Sequence, residues 1–588
     1  MRAAILAFLA STFASPVPNP EEYMSTLGGT RNYGGNENSF GNVMPDVCLP
    51  WSFATWAPSN DITSTGGWWF YEMSTHLASI RSTHQPSPWV GDYGFHNVMM
   101  HVVNPAHDGK TGQYANYDPR ASTFLPYLFN ATLTSYSSKA GAATIEVTPT
   151  EHGAIMRFTF PPPDAPFLAG SYNATRRVLM TTPSGGVVVS GTGAAGDPII
   201  FTGSSTAGLP DEGSLYFAAT LLGGGGDSAV VPISAGSGND GGLLWAWADF
   251  APSDPAADVL VLRIATSLIS PAQALAAHAA EVAGETFDSA LATAKAAWHT
   301  QASRIVVADV GAGRTPAEVA DATTIFYSSL YRASKFPRSL WEVDYANGNA
   351  PIHWSPYNGK VLPGPLSSDV GFWDAFRTTF SLLSLVRPDR LATEMEGFLN
   401  TWREAGYVPE WPHPAGGGMA GTMSDVTMSE AIIKLPHCGS ARAAAAGYCV
   451  NASALYAASR ENAFNRDSDY IKYGYIPYEN GGTMVSDTLL NYHADWAVAQ
   501  AATALGFTAD AAVLNARAAN FSMLLDPVRG FMLPRLRNGS FVADWDEFAW
   551  GPGPGCVFYI SFENCCVRQP RFARLPPPPR SPNPPHHP

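Results

Sequence analysis

The chain changes character at residues 271–307, which read PAQALAAHAAEVAGETFDSALATAKAAWHTQASRIVV. An alanine-rich sequence that begins with proline is typical of a helix, and the pattern predicts helices at residues 272–283 and 287–304. The sequence before this stretch predicts strands, and the sequence after it predicts helices. We therefore expect residues 271–307 to be a helical linker between two domains of different class.

Residues 21–270 consist of short apolar runs separated by Gly, Pro, Asn and Ser. The runs at 154–160, 186–189 and 215–219 combine β-branched or aromatic residues with alternation, which favours strands. Many short strands with frequent turn signals are typical of two packed sheets. The sequence predicts a β-sandwich domain over residues 21–270, and thus a multidomain β + α protein.

Helical periodicity dominates from residue 316 onward. The predicted helices span residues 316–336, 370–385, 389–404, 425–435, 440–460, 485–505 and 508–525. The loops between them are rich in Trp, Tyr, Gly and Pro, and such loops at one end of a helical barrel would form a pocket for a sugar. Residues 316–550 are predicted to be this barrel domain, and the Pro-rich residues 551–588 a low-complexity tail.

Composition and charge limit the kinds of molecule that the protein is expected to bind. A chain of 588 residues is too long for one core, and its 46% hydrophobic content is that of a folded protein. The formal charge of −15 argues against binding nucleic acid or anionic membranes through charge. Sixteen Trp and 23 Tyr suit a neutral, polyhydroxylated ligand, and they equally suit an ordinary large core.

The N-terminus predicts entry into the secretory pathway. Residues 1–14 carry Arg2, then an apolar run and small residues, as in a short signal peptide, and no later stretch is long enough to span a bilayer. We expect a secreted or endomembrane-lumen protein. Five Asn-x-Ser/Thr sequons fit that location: Asn130, Asn173, Asn451, Asn520 and Asn538. Among the cysteines, Cys438 and Cys449 are predicted to pair locally and Cys48 to be a buried small hydrophobe.

Several sequence blocks resemble the α-mannosidases of glycoside hydrolase family 92, and they occur in the order typical of that family. The blocks are Leu27–Thr30, Arg81–Trp89, Tyr327–Arg332, His353–Lys360, Ser368–Arg377, Pro409–Trp411, Gly421–Asp425, Val485–Leu489, Asp495–Trp496, and Asp526–Pro527 followed by Phe531–Arg535. Together they extend over most of residues 20–550. Any one block alone is weak evidence of family membership, but this many blocks in the same order identify the chain as a member of the family.

The resemblance implies a β-sandwich, a helical linker and an (α/α)6 barrel. It also implies the release of terminal α-linked mannose from glycans with inversion, and a calcium ion in the sugar subsite. Calcium prefers oxygen ligands and can therefore bind neighbouring mannose hydroxyls. Inversion needs one carboxylic acid for the leaving oxygen and one carboxylate that activates water, about 6.5–9.5 Å apart.

Four residues are candidates for contact with the sugar. Trp373 and Asp374 match the family's substrate-binding Trp-Asp pair, although a core aromatic beside a surface carboxylate would give the same pattern. Glu410, between Pro409 and Trp411, could bind a hydroxyl or cap a barrel helix. His84 could contact sugar from the N-terminal domain or be structural.

Two further carboxylates are interpreted as structural. Asp425 follows Met423 and Ser424 and is predicted to N-cap the next helix. Asp495, beside Trp496 on a helix, is predicted to pair inside the barrel.

The sequence departs from the family pattern after Trp550. The family's general acid is a Glu in a Thr-Glu-x-x-x-Trp-Gln-Tyr-like motif, but residues 551–559 contain no carboxylate, and Glu563 lacks this context. The base and the calcium ligands are expected further on, so neither a catalytic residue nor a metal ligand is assigned, and the barrel is predicted to be incomplete. Two hypotheses follow: a mannosidase with a truncated C-terminus, or a non-catalytic carbohydrate-binding remnant. Another (α/α)6 glycosidase or phosphorylase shares the architecture but not the ordered motifs.

Overall fold

The computed structural model describes residues 17–30, 41–64, 66–103, 114–136, 139–160, 175–240, 242–251, 254–307, 313–414, 419, 421–481 and 484–543. The predicted signal peptide and tail, the sequon at Asn173, and residues 544–550 of the predicted barrel domain lie outside these described residues. The predicted domain boundaries stay predictions.

The chain divides into two compact units. Unit 1 comprises Met1–Gly371 and Leu385–Gly417, and unit 2 comprises Phe372–Ser384 and Gly418–Pro588.

Unit 1 begins with two antiparallel sheets that share one core. In spatial order, the seven-stranded sheet contains β1 (Val47–Cys48), β2 (Thr55–Ser59), β4 (Ser79–Ser82), β5 (His96–Val103), β11 (Thr175–Thr182), β16 (Leu243–Phe250) and β15 (Ser234–Asp240). The ten-stranded sheet contains β12 (Gly186–Ser190), β13 (Ile199–Ser205), β14 (Leu215–Leu222), β17 (Val259–Ser267), β10 (Gly153–Thr159), β9 (Lys139–Pro149), β8 (Leu128–Tyr136), β6 (Ala115–Tyr117) and β3 (His76–Leu77), with β7 (Thr123–Leu125) beside β8.

Apolar side chains from both sheets meet between them. Trp56 and Val98 of the first sheet and Met156 and Ile264 of the second belong to one buried cluster. Because successive strand residues point to opposite faces, this packing needs apolar residues at alternate positions, as the sequence shows. The predicted β-sandwich is confirmed, and its three quoted segments lie in β10, β12 and β14.

The linker helices cover the outer face of the ten-stranded sheet. They are α1 (Pro271–Glu281) and α2 (Phe287–Ala302), where the sequence predicted helices. Ser270 caps α1, and Thr286 forms a capping box with Ser289 at the start of α2. Phe287 packs on outward-facing side chains of β10 and β17, which explains why β10 is buried on both faces.

A buried ion pair joins the sandwich to α1. His152 Nδ1 lies 2.5 Å from Glu281 Oε1, and His152 Nε2 lies 3.1 Å from the carbonyl oxygen of Trp341. Both ring nitrogens face oxygen acceptors, which requires the doubly protonated imidazolium. Burial opposes this charge, but the hydrogen bond and the charge of Glu281 outweigh burial and raise the pKa of His152 to about 9.

Replacing His152 with Gln is expected to lower the free energy of unfolding by about 3 kcal/mol near pH 6, with the loss fading above pH about 9. A raised folded pKa stabilises below the unfolded pKa, and this stabilisation is lost as pH rises through the folded value. Glu151, Glu342 and Tyr345 also face the pair, and burial raises the pKa of Glu342 to about 7. Urea unfolding of wild type and variant at a series of pH values measures the difference.

His299→Gln is the matched control. Its Nδ1 lies 2.8 Å from Glu21 Oε2, but the His299 side chain is half exposed, so we expect a loss below about 1 kcal/mol. A His152→Gln penalty that stayed constant up to pH about 10 would contradict the charged pair and leave only a neutral hydrogen-bonding role.

The rest of unit 1 contains two long helices and small sheets. The helices are α3 (Pro316–Ala333), which opens on a capping box of Thr315 and Glu318, and α6 (Pro388–Ala405). The strands are β18 (Arg338–Ser339), β19 (Glu342–Asp344), β20 (Ala350–Trp354), β21 (Val361–Pro363) and β22 (Ser367–Ser368). Cys48 is buried as predicted, and burial raises the pKa of its thiol to about 12.

Unit 2 is helical. Its helices are α4 (Phe372–Ala375), α5 (Thr379–Val386, which ends in unit 1), α7 (Ser424–Lys434), α8 (Ala441–Ala446), α9 (Ala452–Phe464), α10 (Ser468–Tyr473), α11 (Met484–Leu505) and α12 (Thr508–Ala518). A small sheet of β23 (Leu525–Asp526) and β24 (Phe531–Met532) follows. The α11 helix packs against α7, α9 and α12 and is buried over most of its length.

The predicted helices are largely confirmed, with two corrections. Residues 440–460 form two helices because Gly447 ends α8 in the left-handed conformation and Asn451 caps α9. The predicted Cys438–Cys449 disulfide lies at this break and is confirmed. Residues 370–385 likewise hold α4 and α5 with a turn between them. The (α/α)6 barrel and its incompleteness remain predictions. No helix in the described part of the chain combines the length and apolar character that crossing a membrane requires.

Candidate functional site

His84 lies in the interior of unit 1, just beyond β4. Its Nδ1 is 3.0 Å from the carbonyl oxygen of Tyr93, and its ring stacks on the Tyr93 ring at 4.8 Å between centroids. Burial, with a further effect from Arg338, places the pKa of His84 well below its usual value. The ring is therefore neutral, and since Nδ1 must donate to the carbonyl, Nε2 is left as an acceptor. No described residue forms a hydrogen bond with that Nε2.

Asp92 holds the segment that carries His84. Its carboxylate accepts hydrogen bonds from the Thr83 hydroxyl at 2.9 Å and from the His84 backbone N–H at 2.8 Å. It also pairs with Arg81, whose guanidinium lies over the Phe95 ring. Both charges are buried, so each compensates the desolvation of the other. This pairing fixes the position of the His84 backbone.

Asp369 is the centre of a second buried network in unit 1. The Tyr93 hydroxyl donates to Asp369 Oδ2 at 2.8 Å, and Arg338 Nε donates to the same oxygen at 2.7 Å. Burial and the nearby Asp369 charge raise the pKa of Tyr93 well above its usual value, so the phenol stays protonated. Asp369 has a φ of 62°, a conformation that non-glycine residues rarely adopt. Backbone outliers of this kind are concentrated at functional sites, and the hydrogen bonds of Tyr93 and Arg338 to Asp369 hold this one in place.

Pro412 and His413, which follow α6 in unit 1, pack against this network. The carbonyl oxygen of Pro412 accepts from the Asp369 N–H at 2.7 Å. His413 lies edge-on to the Tyr93 ring, and its Nε2 is 3.9 Å from Asp369 Oδ1. Glu410, two residues before Pro412, is 9% exposed, and it belongs to neither flanking helix. Unit 1 thus brings His84 close to Asp369 and His413 through Tyr93, while a sugar contact at Glu410 or His84 stays a prediction.

Trp373 and Asp374 lie on the short helix α4 of unit 2. Trp373 is half-buried, and the guanidinium of Arg377 lies 5.7 Å from its ring centroid. Asp374 is exposed, yet neighbouring protein atoms partly desolvate its carboxyl and raise its pKa, against the lowering effect of Arg377. An accessible carboxylate beside an indole is able to bind sugar hydroxyls and stack on a pyranose. Their contact with substrate stays a prediction.

Asp425 does not N-cap α7, so that prediction is wrong. The helix starts at Ser424, and Met423 is the cap residue without a side-chain bond. Asp425 instead points inward, where it accepts from Arg466 Nη2 at 2.8 Å and from Asn462 at 2.9 Å. Burial raises the pKa of Asp425 to about 6, opposed by Arg466.

The predicted pairing of Asp495 is confirmed within unit 2. Asp495 accepts from Arg466 Nε at 3.0 Å, from Arg517 Nη2 at 2.6 Å and from the Tyr470 hydroxyl at 2.7 Å. Ion pairs through Arg466 connect Asp425 on α7 with Asp495 on α11, which also pairs with Arg517 on α12. Tyr470 adds α10 to this network, and Asn462, which donates to Asp425, adds α9. Every one of these charges has a partner, which offsets the cost of burying it.

Residues 551–559, where the family's general acid would be expected and the sequence has no carboxylate, lie outside the described residues, as does Glu563. Within the described residues, no three His, Cys, Asp or Glu side chains come together as a metal site. The predicted calcium ion stays a prediction, and no chemical step is assigned to the metal.

Family comparisons decide the class of the protein. Residues 23–267 match the glycosyl hydrolase family 92 N-terminal domain, and residues 273–563 match the glycosyl hydrolase family 92 catalytic domain. The chain belongs to glycosyl hydrolase family 92. The catalytic-domain match continues past Trp550 into the segment predicted as a tail. None of the curated proteins is similar enough to match the chain.

Solved structures of family 92 share the fold. The inverting mannosidase BT2199 from Bacteroides thetaiotaomicron VPI-5482 is 26% identical with a TM-score of 0.76, and the match covers 91% of this chain and 69% of that one. The α-mannosidase BT3965 from Bacteroides thetaiotaomicron is 18% identical with a TM-score of 0.71, covering 91% of this chain and 70% of that one. The sheet-then-helix order of this chain is therefore the order of the family.

Sequence reasoning did not select Asp369, Arg338 or Tyr93, which form the centre of the unit 1 network. Asp369 lies inside the quoted block Ser368–Arg377, between a polar and an apolar residue. The sequence could have indicated this residue, because a charged side chain at the start of a mostly apolar block would need an oppositely charged or hydrogen-bonding partner if it were buried. The partner itself was not visible, because Tyr93 is 276 residues away along the chain.

Proposed function

We propose that this family 92 glycoside hydrolase is an exo-α-mannosidase that releases terminal α-linked mannose with inversion and depends on calcium. The observation that carries the proposal is the pair of family matches, which together extend over residues 23–267 and 273–563. The 26% identity to an inverting mannosidase over 91% of this chain supports both the substrate class and the stereochemistry. The helical part would then belong to an (α/α)6 barrel.

Within this proposal, Trp373 and Asp374 of unit 2 contact substrate, and Glu410 and His84 of unit 1 are separate candidate contacts. An exposed carboxylate accepts hydrogen bonds from sugar hydroxyls, and a half-buried indole offers a face for stacking. The neutral His84 ring keeps a free acceptor at Nε2, but this atom is buried, so a sugar contact there requires the surrounding residues to move. The glycan partner is a mannose-containing glycan or glycoprotein, and the location is the secretory lumen or the outside of the cell.

The full chain is expected to release mannose from an aryl α-mannoside and from α-linked mannobioses, but no glucose from aryl α-glucoside. Proton NMR during the first turnovers should show β-mannose before mutarotation, because a single displacement inverts the anomeric centre. EDTA should abolish the release, and added calcium should restore it, whereas magnesium, which demands a tighter octahedral site, should not.

Asp374→Asn is the matched site variant, with Asp389→Asn as a partly exposed control on α6. We expect the first to lower kcat/KM by about 30-fold, equivalent to about 2 kcal/mol of lost contact, and the second to leave it unchanged. Binding of mannose-containing glycans without turnover would refute the hydrolase and leave a carbohydrate-binding protein. Turnover of the glucoside alone would point to a different glycosidase class.

A further inference from the structure

The sequons of the described residues differ in how they are placed in the fold. Asn451 and Asn538 are exposed, whereas Asn130 and Asn520 are half-buried. An N-linked glycan replaces one hydrogen of the asparagine side-chain nitrogen and is bulky and hydrophilic. A folded chain therefore accommodates it only where that nitrogen faces solvent.

Asn538 lies at the tip of a hairpin in unit 2. The Leu536 N–H donates to the Ser540 carbonyl oxygen at 2.9 Å, and Gly539 takes the left-handed conformation that closes the turn. Asn538 Oδ1 accepts from the Ser540 N–H at 2.9 Å and from the Ser540 hydroxyl at 2.8 Å. Both bonds use the oxygen of the amide, so the side-chain nitrogen is at the opposite, outward end.

Neighbouring contacts fasten the residue before Asn538 to α10 and to the helical turn Tyr478–Asn480. Arg537 pairs with Asp469 at 2.9 Å, and its backbone N–H donates to Glu479 at 3.0 Å. These bonds anchor the residue before Asn538 and leave Asn538 and Ser540 exposed.

Asn451 is placed in a comparable way. It is exposed at the N-terminus of α9, and its Oδ1 accepts from the Ala454 N–H at 3.1 Å. The cap again uses only the oxygen, so a sugar on the nitrogen leaves the helix cap intact.

In the two half-buried sequons, the side-chain nitrogen of the asparagine contacts neighbouring residues. Asn130 in β8 donates from Nδ2 to Glu146 at 3.2 Å, and Glu146 is itself paired with Arg157. Asn520 lies in the short helical turn Ala519–Leu524, and its nitrogen packs against Gly474, 2.9 Å from where a Cβ would stand there. A glycan at either position would displace packed neighbours.

We propose that the chain carries N-linked glycans on Asn538 and Asn451, and none on Asn130 or Asn520. In the transfer, the side-chain nitrogen forms a bond to the anomeric carbon of a polyprenyl-diphosphate oligosaccharide. The bond from that carbon to the diphosphate oxygen breaks, and the nitrogen loses one proton. The proposal depends on the secretory location proposed above and not on mannosidase activity.

The test is secretory expression of the full chain in insect cells, followed by release of glycans with peptide N-glycosidase in heavy-oxygen water and mass spectrometry of the peptides. The Asn538 and Asn451 peptides should carry the labelled aspartate in the majority of molecules, and the Asn130 and Asn520 peptides should not. Asn538→Gln and Ser540→Ala should each remove one glycan and therefore produce the same single shift in electrophoretic mobility. Ser540→Ala keeps Asn538 but destroys the sequon.

An unmodified Asn538 or Asn451, or a labelled Asn130 or Asn520, would overturn the proposal. The N-terminal peptide of the same sample shows whether residues 1–14 were cleaved. An uncleaved leader with unmodified sequons would refute the secretory location as well, whereas a cleaved leader would refute the site selection alone. Mannoside hydrolysis by the same sample reports separately on the proposed activity.

Discussion

Replacing Asp495 with Ala is expected to lower the free energy of unfolding of unit 2 by about 3–5 kcal/mol. The carboxylate is fully buried and accepts from Arg466, Arg517 and Tyr470. Its removal leaves Arg517 without a carboxylate among the described residues and Arg466 with Asp425 alone. Because Arg does not lose its proton inside a protein, these guanidinium groups stay charged, and the cost is that of a buried charge without its partner.

The measurement is hydrogen exchange of peptides from α9, α11 and α12, in parallel with urea unfolding. Exchange reports on unit 2 by itself, which matters because a chain of two units need not unfold in one step. Protection in these three helices should fall together in the variant, while protection of the sandwich strands stays unchanged.

Asp510→Ala is the matched control for Asp495→Ala. Asp510 on α12 pairs with Arg460 on α9, so it joins two of the same helices, but Arg460 is 47% exposed. Such a surface pair contributes at most about 1 kcal/mol. An Asp495→Ala effect no larger than that of the control would mean that water reaches the network and that its charges are not truly buried. The loss of unfolding free energy in Asp495→Asn should lie between the losses in Asp495→Ala and Asp510→Ala, because asparagine keeps the shape of the side chain and loses its charge.

The fold could be predicted from the sequence because its determinants are local. Alternating apolar residues at 154–160 predict a strand, and β10 occupies that segment. Ser270 followed by Pro271 marks the start of α1, where a cap and a fixed φ favour the first helical turn. The break at Gly447 was missed, because alanine-rich text on both sides outweighed one glycine in the pattern.

The polar clusters could not be predicted, because their partners are distant in sequence. Asp425 follows a Ser in a position typical of a cap, but Arg466, 41 residues later, turns it inward. Asp369 contacts Arg338 and Tyr93, which no local pattern connects. His84 was selected through its family block, yet its neutral state depends on burial and on Arg338, which only the packed structure reveals.

Replacing Asp369 with Ala is expected to lower the free energy of unfolding of unit 1 by about 4–6 kcal/mol, the largest single effect we expect in this unit. About 3–5 kcal/mol of this comes from Arg338, which is buried and would lose its only carboxylate among the described residues. About 1 kcal/mol more comes from the backbone, because alanine is strained at a φ of 62°.

Two further variants separate the charge from the backbone. Asp369→Asn keeps a side chain that tolerates the left-handed conformation, so it should lose only the charge contribution. Asn349→Ala, at an exposed position with a φ of 59°, should lose only the backbone contribution of about 1 kcal/mol. Urea unfolding together with hydrogen exchange of β2 and β22 gives all three values.

The decisive comparison is the double variant Arg338→Met with Asp369→Asn. Arg338 also donates to the Phe53 carbonyl oxygen at 3.0 Å and to Thr55 Oγ1 at 2.7 Å, so its loss leaves two acceptors unpaired. If the unpaired charge dominates the single variants, the double variant should nevertheless be more stable than Asp369→Asn alone, because no buried charge remains. If it is less stable, the hydrogen bonds of Arg338 to the sandwich outweigh its charge pairing, and Asp369 serves mainly to orient a side chain that fastens β2 to the segment before α4.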